Sequence, residues 1–125
     1  MRLTDLEPEW VNRTGAGRHQ RFCDSHAHVD IHYSEGEEPG GAEDIAAADG
    51  VLFLCPVCFA RQGRVGTESV LCWFNGRGVP PEELPGPGRW NASGASFDDL
   101  TLVPSVNVDH GHWHGFITNG EVTNA

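Results

Sequence analysis

HGFIT (114–118), Asn119-Gly120 and EVT (121–123) form the most legible stretch of the chain, and their reading decides the fold. Two β-prone runs separated by Asn-Gly are the strongest short-range hairpin signal, because the tight turn needs positive φ at both central residues. Working back from this hairpin, LTLVPSV (100–106), RWNAS (89–93) and ESVLCWF (68–74) read as further strands. VLFLC (51–55) is a continuous apolar run, typical of a central strand. From Phe22 to Tyr33 the pattern alternates, with Asp24, His26, His28, Asp30 and His32 on one face and Ala27, Val29, Ile31 and Tyr33 on the other. That is the period of a half-buried strand. The expectation is an all-β fold: a small single domain of about six short strands, a cysteine knuckle and a C-terminal β-hairpin.

Composition agrees. A chain of 125 residues and 13.6 kDa has room for one domain. Sixteen Gly and eight Pro argue against a helical bundle and for short strands joined by turns. No apolar run approaches the ~20 residues of a membrane span, and MRLTDLEPEWVNR (1–13) lacks the apolar stretch of a secretory signal. Membrane spanning and secretion by a cleaved signal are therefore not expected. Eighteen acidic residues against eight basic ones give a net charge of −10, a surface that repels phosphate backbones. Nucleic acid is excluded as a partner on that ground.

The chain divides, on this reading, into residues 1–45 and a zinc-stabilised β domain over 46–125. The first part holds LTDLEPEW (3–10), the polar strand and SEGEEPGGAED (34–44), an acidic Gly-rich loop. Leu3, Leu6 and Trp10 are apolar in polar surroundings, so they are expected to dock on something larger. The implied partners are other protein subunits of a larger assembly, contacted through residues 1–45.

Four Cys without a secretory signal point to metal binding before disulfides. Cys55-Pro-Val-Cys58 has the spacing that lets two thiolates grip one ion through a tight turn, and zinc is the expected ion. A redox C-x-x-C would open a helix in a βαβ unit, a pattern not visible here. Three sources compete for the remaining ligands. Cys72 lies on the next strand, His110, His112 and His114 alternate along another, and Cys23 with His26 forms a C-x-x-H. The Asp24–Asp30 face resembles the metal-binding opening strand of amidohydrolases and TatD-type nucleases. Those enzymes are TIM barrels of about 250 residues with βα repeats, which this chain lacks, so a solvated polar face is the simpler reading.

From Val51 onward the chain resembles a family of small phage and bacterial domains of unknown function, some of whose phage members carry the label ammonia monooxygenase. FLCPVC (53–58), VLCW (70–73), SFDDLTLVPSV (96–106) and HGFITNGEV (114–122) carry the likeness, and LTDLEPEWV (3–11) is similar to the start of many phage members. In that family a Cys usually stands shortly before the C-terminal His. Here His112 takes its place, an exchange that keeps a zinc ligand. The resemblance thus implies a zinc site of Cys55, Cys58, Cys72 and His112. It also implies a zinc-binding structural or interaction domain, a minor component of a phage particle assembled in the bacterial cytoplasm, as the first functional expectation.

The alternative comes from relatives in bacterial ubiquitin-like conjugation operons, where the domain is regarded as a serine-type peptidase or isopeptidase. That likeness would make Ser105 the nucleophile and His114 its base, with Asp109 or Glu121 as candidates to orient the imidazole. Against it, a metal on His112 would crowd His114 two residues away on the same face, and a metal-bound imidazole has no lone pair left to accept a proton. Ser105 and His114 are therefore expected to be neighbours across the sheet without forming an oriented triad.

Overall fold

The computed structural model describes residues 1–13, 20–23, 28–31, 42–83, 85–108 and 111–125. Their strands are β1 (Glu9–Val11), β2 (Gln20–Cys23), β3 (His28–Ile31), β4 (Gly50–Leu54), β5 (Ser69–Trp73), β6 (Asn91–Ser93), β7 (Thr101–Val108), β8 (Trp113–Thr118) and β9 (Glu121–Asn124). They form two antiparallel sheets, one in the order β1-β4-β5-β3-β2 and one in the order β6-β7-β8-β9. The all-β expectation holds, with more strands than the six expected. The single strand expected over 22–33 is instead a pair, β2 and β3, with Cys23 opposite Val29. Positions 24–27 and 32–41, which carry much of the polar face and the acidic loop, lie outside the described residues.

The sheets stack face to face as a sandwich. Val51, Phe53, Val70 and Cys72 from one sheet meet Leu102, Val106, Val108, Trp113, Ile117 and Val122 from the other. Alternation in the second sheet is regular: Trp113, Gly115 and Ile117 of β8 are buried while His114, Phe116 and Thr118 face out. The other face of the first sheet is covered in part by the Pro/Gly loop, where Val11, Leu71 and Trp73 pack with Val79. Arg89 organises that loop, its guanidinium donating to the carbonyls of Pro80, Glu83, Pro85 and Gly88.

Leu3 and Leu6 are fully buried and Trp10 nearly so. They sit in the main core of their own chain, where Trp10 stacks on Phe97 with ring centroids 4.1 Å apart. Residues 9–11 form β1 and pair with β4. These three side chains are core residues of their own chain, which corrects the reading of them as apolar residues left unsatisfied by their own domain. Their polar sequence neighbours mislead because the core cluster that buries them is built from residues far along the chain, Val51 and Leu100 among them.

The hairpin falls where the sequence puts it. Asn119 and Gly120 join β8 to β9 with φ of 49° and 74°. Among the described residues an α-helix departs from the all-β expectation: α1 (Pro56–Gln62) begins directly after β4. Pro56 sits at the first helical position, where its missing N–H costs nothing and its φ is already helical. Gly63 ends the helix with φ 70°.

Candidate functional site: a Cys-Cys-His cluster beside a Ser-His pair

Cys55 is the N-cap of α1, which places Cys58 at its third helical position. In a capping box the side chains at these two positions each reach the other's backbone N–H, so helix geometry sets the two sulfurs on the same side of the first turn, within 4.8 Å of one another. The sequence reading found the knuckle but not the helix that shapes it. His112 arrives from the other sheet. Trp113 is buried edge-on against Phe53, centroids 6.3 Å apart and rings perpendicular, and this contact holds the start of β8 over α1. The His112 Nε2 then lies 3.3 Å from Cys58 Sγ.

The donor atoms of Cys55, Cys58 and His112 all lie within 4.8 Å of one another, and these residues could bind a metal ion. Donors bound tetrahedrally to zinc at about 2.0–2.3 Å stand roughly 3.5–3.8 Å apart, so the cluster needs little adjustment. Two thiols and an imidazole also suit zinc by softness. Cys55 is buried and Cys58 half-buried. Burial pushes the Cys55 thiol up to about 11, against the pull of the Cys58 and Val57 backbone N–H groups. A cation offsets that desolvation by stabilising the thiolate directly.

Cys72 does not join this cluster. Its register partner on β4 is Val51, four residues before Cys55, a separation of about 13 Å along a strand. It is fully buried in the apolar core, and desolvation raises its pKa far above the ordinary thiol value. The other competing ligands, Cys23, His26 and His110, have no described side chains. Among the described residues the metal site has three donors.

His114 does not join it either, and the reason corrects the expected crowding. His112 belongs to the turn before β8, whereas His114 is in the strand with its ring on the outer face. The two imidazoles part company at the strand boundary. His114 Nε2 instead lies 3.0 Å from Ser105 Oγ.

A bulge in β7 makes that approach possible. Leu102 pairs with Ile117 and Val106 with Gly115, so Val103, Pro104 and Ser105 together oppose Phe116 alone. Bulges re-aim side chains and are frequent next to active sites. Pro104 was the available signal, since a proline in a central strand is confined to bulges. The bulged backbone is tied down by Trp90, a buried residue whose indole Nε1–H donates to the Ser105 carbonyl at 3.3 Å. Sequence reasoning named neither Trp90 nor the bulge.

Of the two carboxylates considered for orienting His114, Glu121 is engaged elsewhere. It pairs with Thr118, four residues along β8 from His114. Its carboxylate accepts from Arg2 Nη1 at 3.1 Å and lies 3.7 Å from the N-terminal amine, contacts that lower its pKa. Asp109 lies outside the described residues. No helix is long and apolar enough to cross a membrane, among the described residues. Comparison with protein-family models, curated proteins and solved structures finds no match to this chain.

Proposed function

We propose that this protein is a Ser-His hydrolase of acyl bonds, a peptidase or isopeptidase by its family resemblance, with a β-scaffold stapled by zinc. The observation that carries the reading is the 3.0 Å approach of Ser105 Oγ to His114 Nε2 on an exposed sheet face. A nucleophile within hydrogen-bond reach of its base is the first geometric requirement for covalent acyl transfer.

The chemistry follows from that pair. Ser105 Oγ attacks the acyl carbon as His114 Nε2 takes the hydroxyl proton. The tetrahedral adduct collapses, the bond to the leaving group breaks, and that group departs with the proton from His114. Water then attacks the acyl-Ser105 ester, again giving a proton to His114, and the acid leaves as Ser105 recovers its hydrogen.

Zinc at Cys55, Cys58 and His112 supplies a cross-link between the two sheets. Those residues hold the start of β8, and so fix the strand that carries His114. A purely structural role in a particle, contacting other subunits, would use the staple equally well but gives no use to the Ser-His pair.

The test is turnover of an activated ester and of a ubiquitin-like protein conjugate by purified protein. Ser105→Ala and His114→Ala should each abolish it while leaving the melting temperature and the metal content unchanged. Undiminished turnover in Ser105→Ala, or none in the intact chain, would return the reading to a structural domain.

A further inference from the structure

The sheet that carries the Ser-His pair differs from the rest of the molecule in charge. In a chain of net charge −10, the described strands β6 to β9 contain one residue of the Asp, Glu and Arg types, Glu121. That one is held by Arg2 and the N-terminus. The outward positions around the pair are Asn91, Ser93, Asn107, Thr118 and Thr123, all uncharged.

Two large apolar side chains stand on this face in the open. Phe116 is 44% exposed and Val103 is 54% exposed. A single exposed apolar residue carries no information. These two are placed by the bulge: Phe116 is the one β8 residue facing Val103, Pro104 and Ser105. It is also two residues from His114, on the same face of β8. Ser105 meets His114 on that same outward face, and the bulged segment that carries it lies opposite Phe116 across the β7–β8 pair, so Phe116 is the neighbouring outward side chain along β8 from the base. An acyl carbon seated at Ser105 Oγ brings its own substituent against this ring.

We propose that Phe116, supported by Val103, is the specificity-determining platform of the site, and that the substrate class is an extended peptide or ester whose acyl group carries a bulky apolar side chain. The inference rests on the hydrolase reading and adds the identity of the group recognised. An uncharged, apolar floor favours a neutral apolar acyl group over a charged one, because contact with the ring stabilises the first and, among the described strands β6 to β9, the one charged Asp, Glu or Arg side chain is Glu121, already held by Arg2. The openness of the sheet face suits an extended chain. Binding at Phe116 is realised next to the reacting carbon, so it contributes to kcat/KM and separates large acyl groups from small ones.

The experiment compares p-nitrophenyl acetate with p-nitrophenyl 3-phenylpropionate as substrates of the full chain. The intact protein should prefer the phenylpropionate. Phe116→Ala should lower kcat/KM for it about tenfold more than for the acetate. Phe116→Leu should restore most of the preference. Phe116 is on the surface, so circular dichroism should show both variants folded. If the intact chain hydrolyses both esters through Ser105 and Phe116→Ala leaves their ratio unchanged, the platform is refuted and the hydrolase stands. If the intact chain hydrolyses neither, or Ser105→Ala hydrolyses both as fast, the hydrolase reading fails and the platform with it.

Discussion

Removing the zinc proposed at Cys55, Cys58 and His112 should destabilise this domain by an amount that can be worked from the chain. Cys58 and His112 are 54 positions apart in sequence. A cross-link closing a loop of that length removes about 4 kcal/mol of unfolded-state entropy at 25 °C by the loop-closure relation used for disulfides. Unfolding entropy for a chain of this length makes each 1 kcal/mol about 4 °C, so the expected loss is about 15 °C in Tm. The assay is differential scanning calorimetry of protein purified with zinc, before and after dialysis against a strong chelator. Cys58→Ala should melt near the chelated wild type, and the chelator should then have no further effect on it. Metal analysis should give one zinc per chain in the wild type and none in Cys58→Ala. A chelated wild type that melts within 2–3 °C of the untreated protein, after losing one zinc per chain, would refute the staple.

Trp90→Phe keeps an aromatic ring in the core but removes the N–H that holds the Ser105 carbonyl. Misaiming a nucleophile by a fraction of an ångström costs about tenfold or more in rate. Steady-state kinetics should show the loss in kcat with KM little changed, whereas a purely structural role would move neither. Cys72→Ala should leave one zinc per chain by metal analysis and cost about 1 kcal/mol in denaturant melts, the signature of a small core cavity. In the folded wild type, alkylation with mass readout should spare Cys72 because its thiol is buried. Acid should destabilise the metal-free protein through Asp99, whose pKa is lowered by the Ser96 and Ala95 backbone N–H groups, and through Glu121, lowered by Arg2. Carboxylates with depressed folded pKa values contribute stability above their ordinary values of 3.8 and 4.5, and lose it as pH falls through the folded ones. Thermal melts of Asp99→Asn should therefore show a shallower loss below about pH 4 than the wild type.

The parts of this account that were legible in the sequence are local. Asn119-Gly120 specifies a turn by its own φ preferences, and Cys55-Pro-Val-Cys58 specifies two donors by its own spacing. His112 and Ser105 with His114 were legible through resemblance, and the structure sets each beside its partner. What was not legible depends on register. Cys72 looks like a ligand until β4 and β5 are aligned, and a strand's alignment is fixed by contacts along its whole length. The separation of His112 from His114 depends on where β8 begins, which Trp113 settles by docking on Phe53. Leu3, Leu6 and Trp10 looked unsatisfied because their core partners come from the far end of the chain. The bulge at Val103–Ser105 is a property of two strands together, and Pro104 alone hinted at it.

Covalent labelling probes whether Ser105 is the activated nucleophile proposed here. The protein is incubated with a fluorophosphonate, and the adduct is located by intact and peptide mass spectrometry. One adduct per chain is expected, on Ser105, and none in His114→Ala. An unlabelled wild type, under conditions that label a known serine hydrolase, would contradict it.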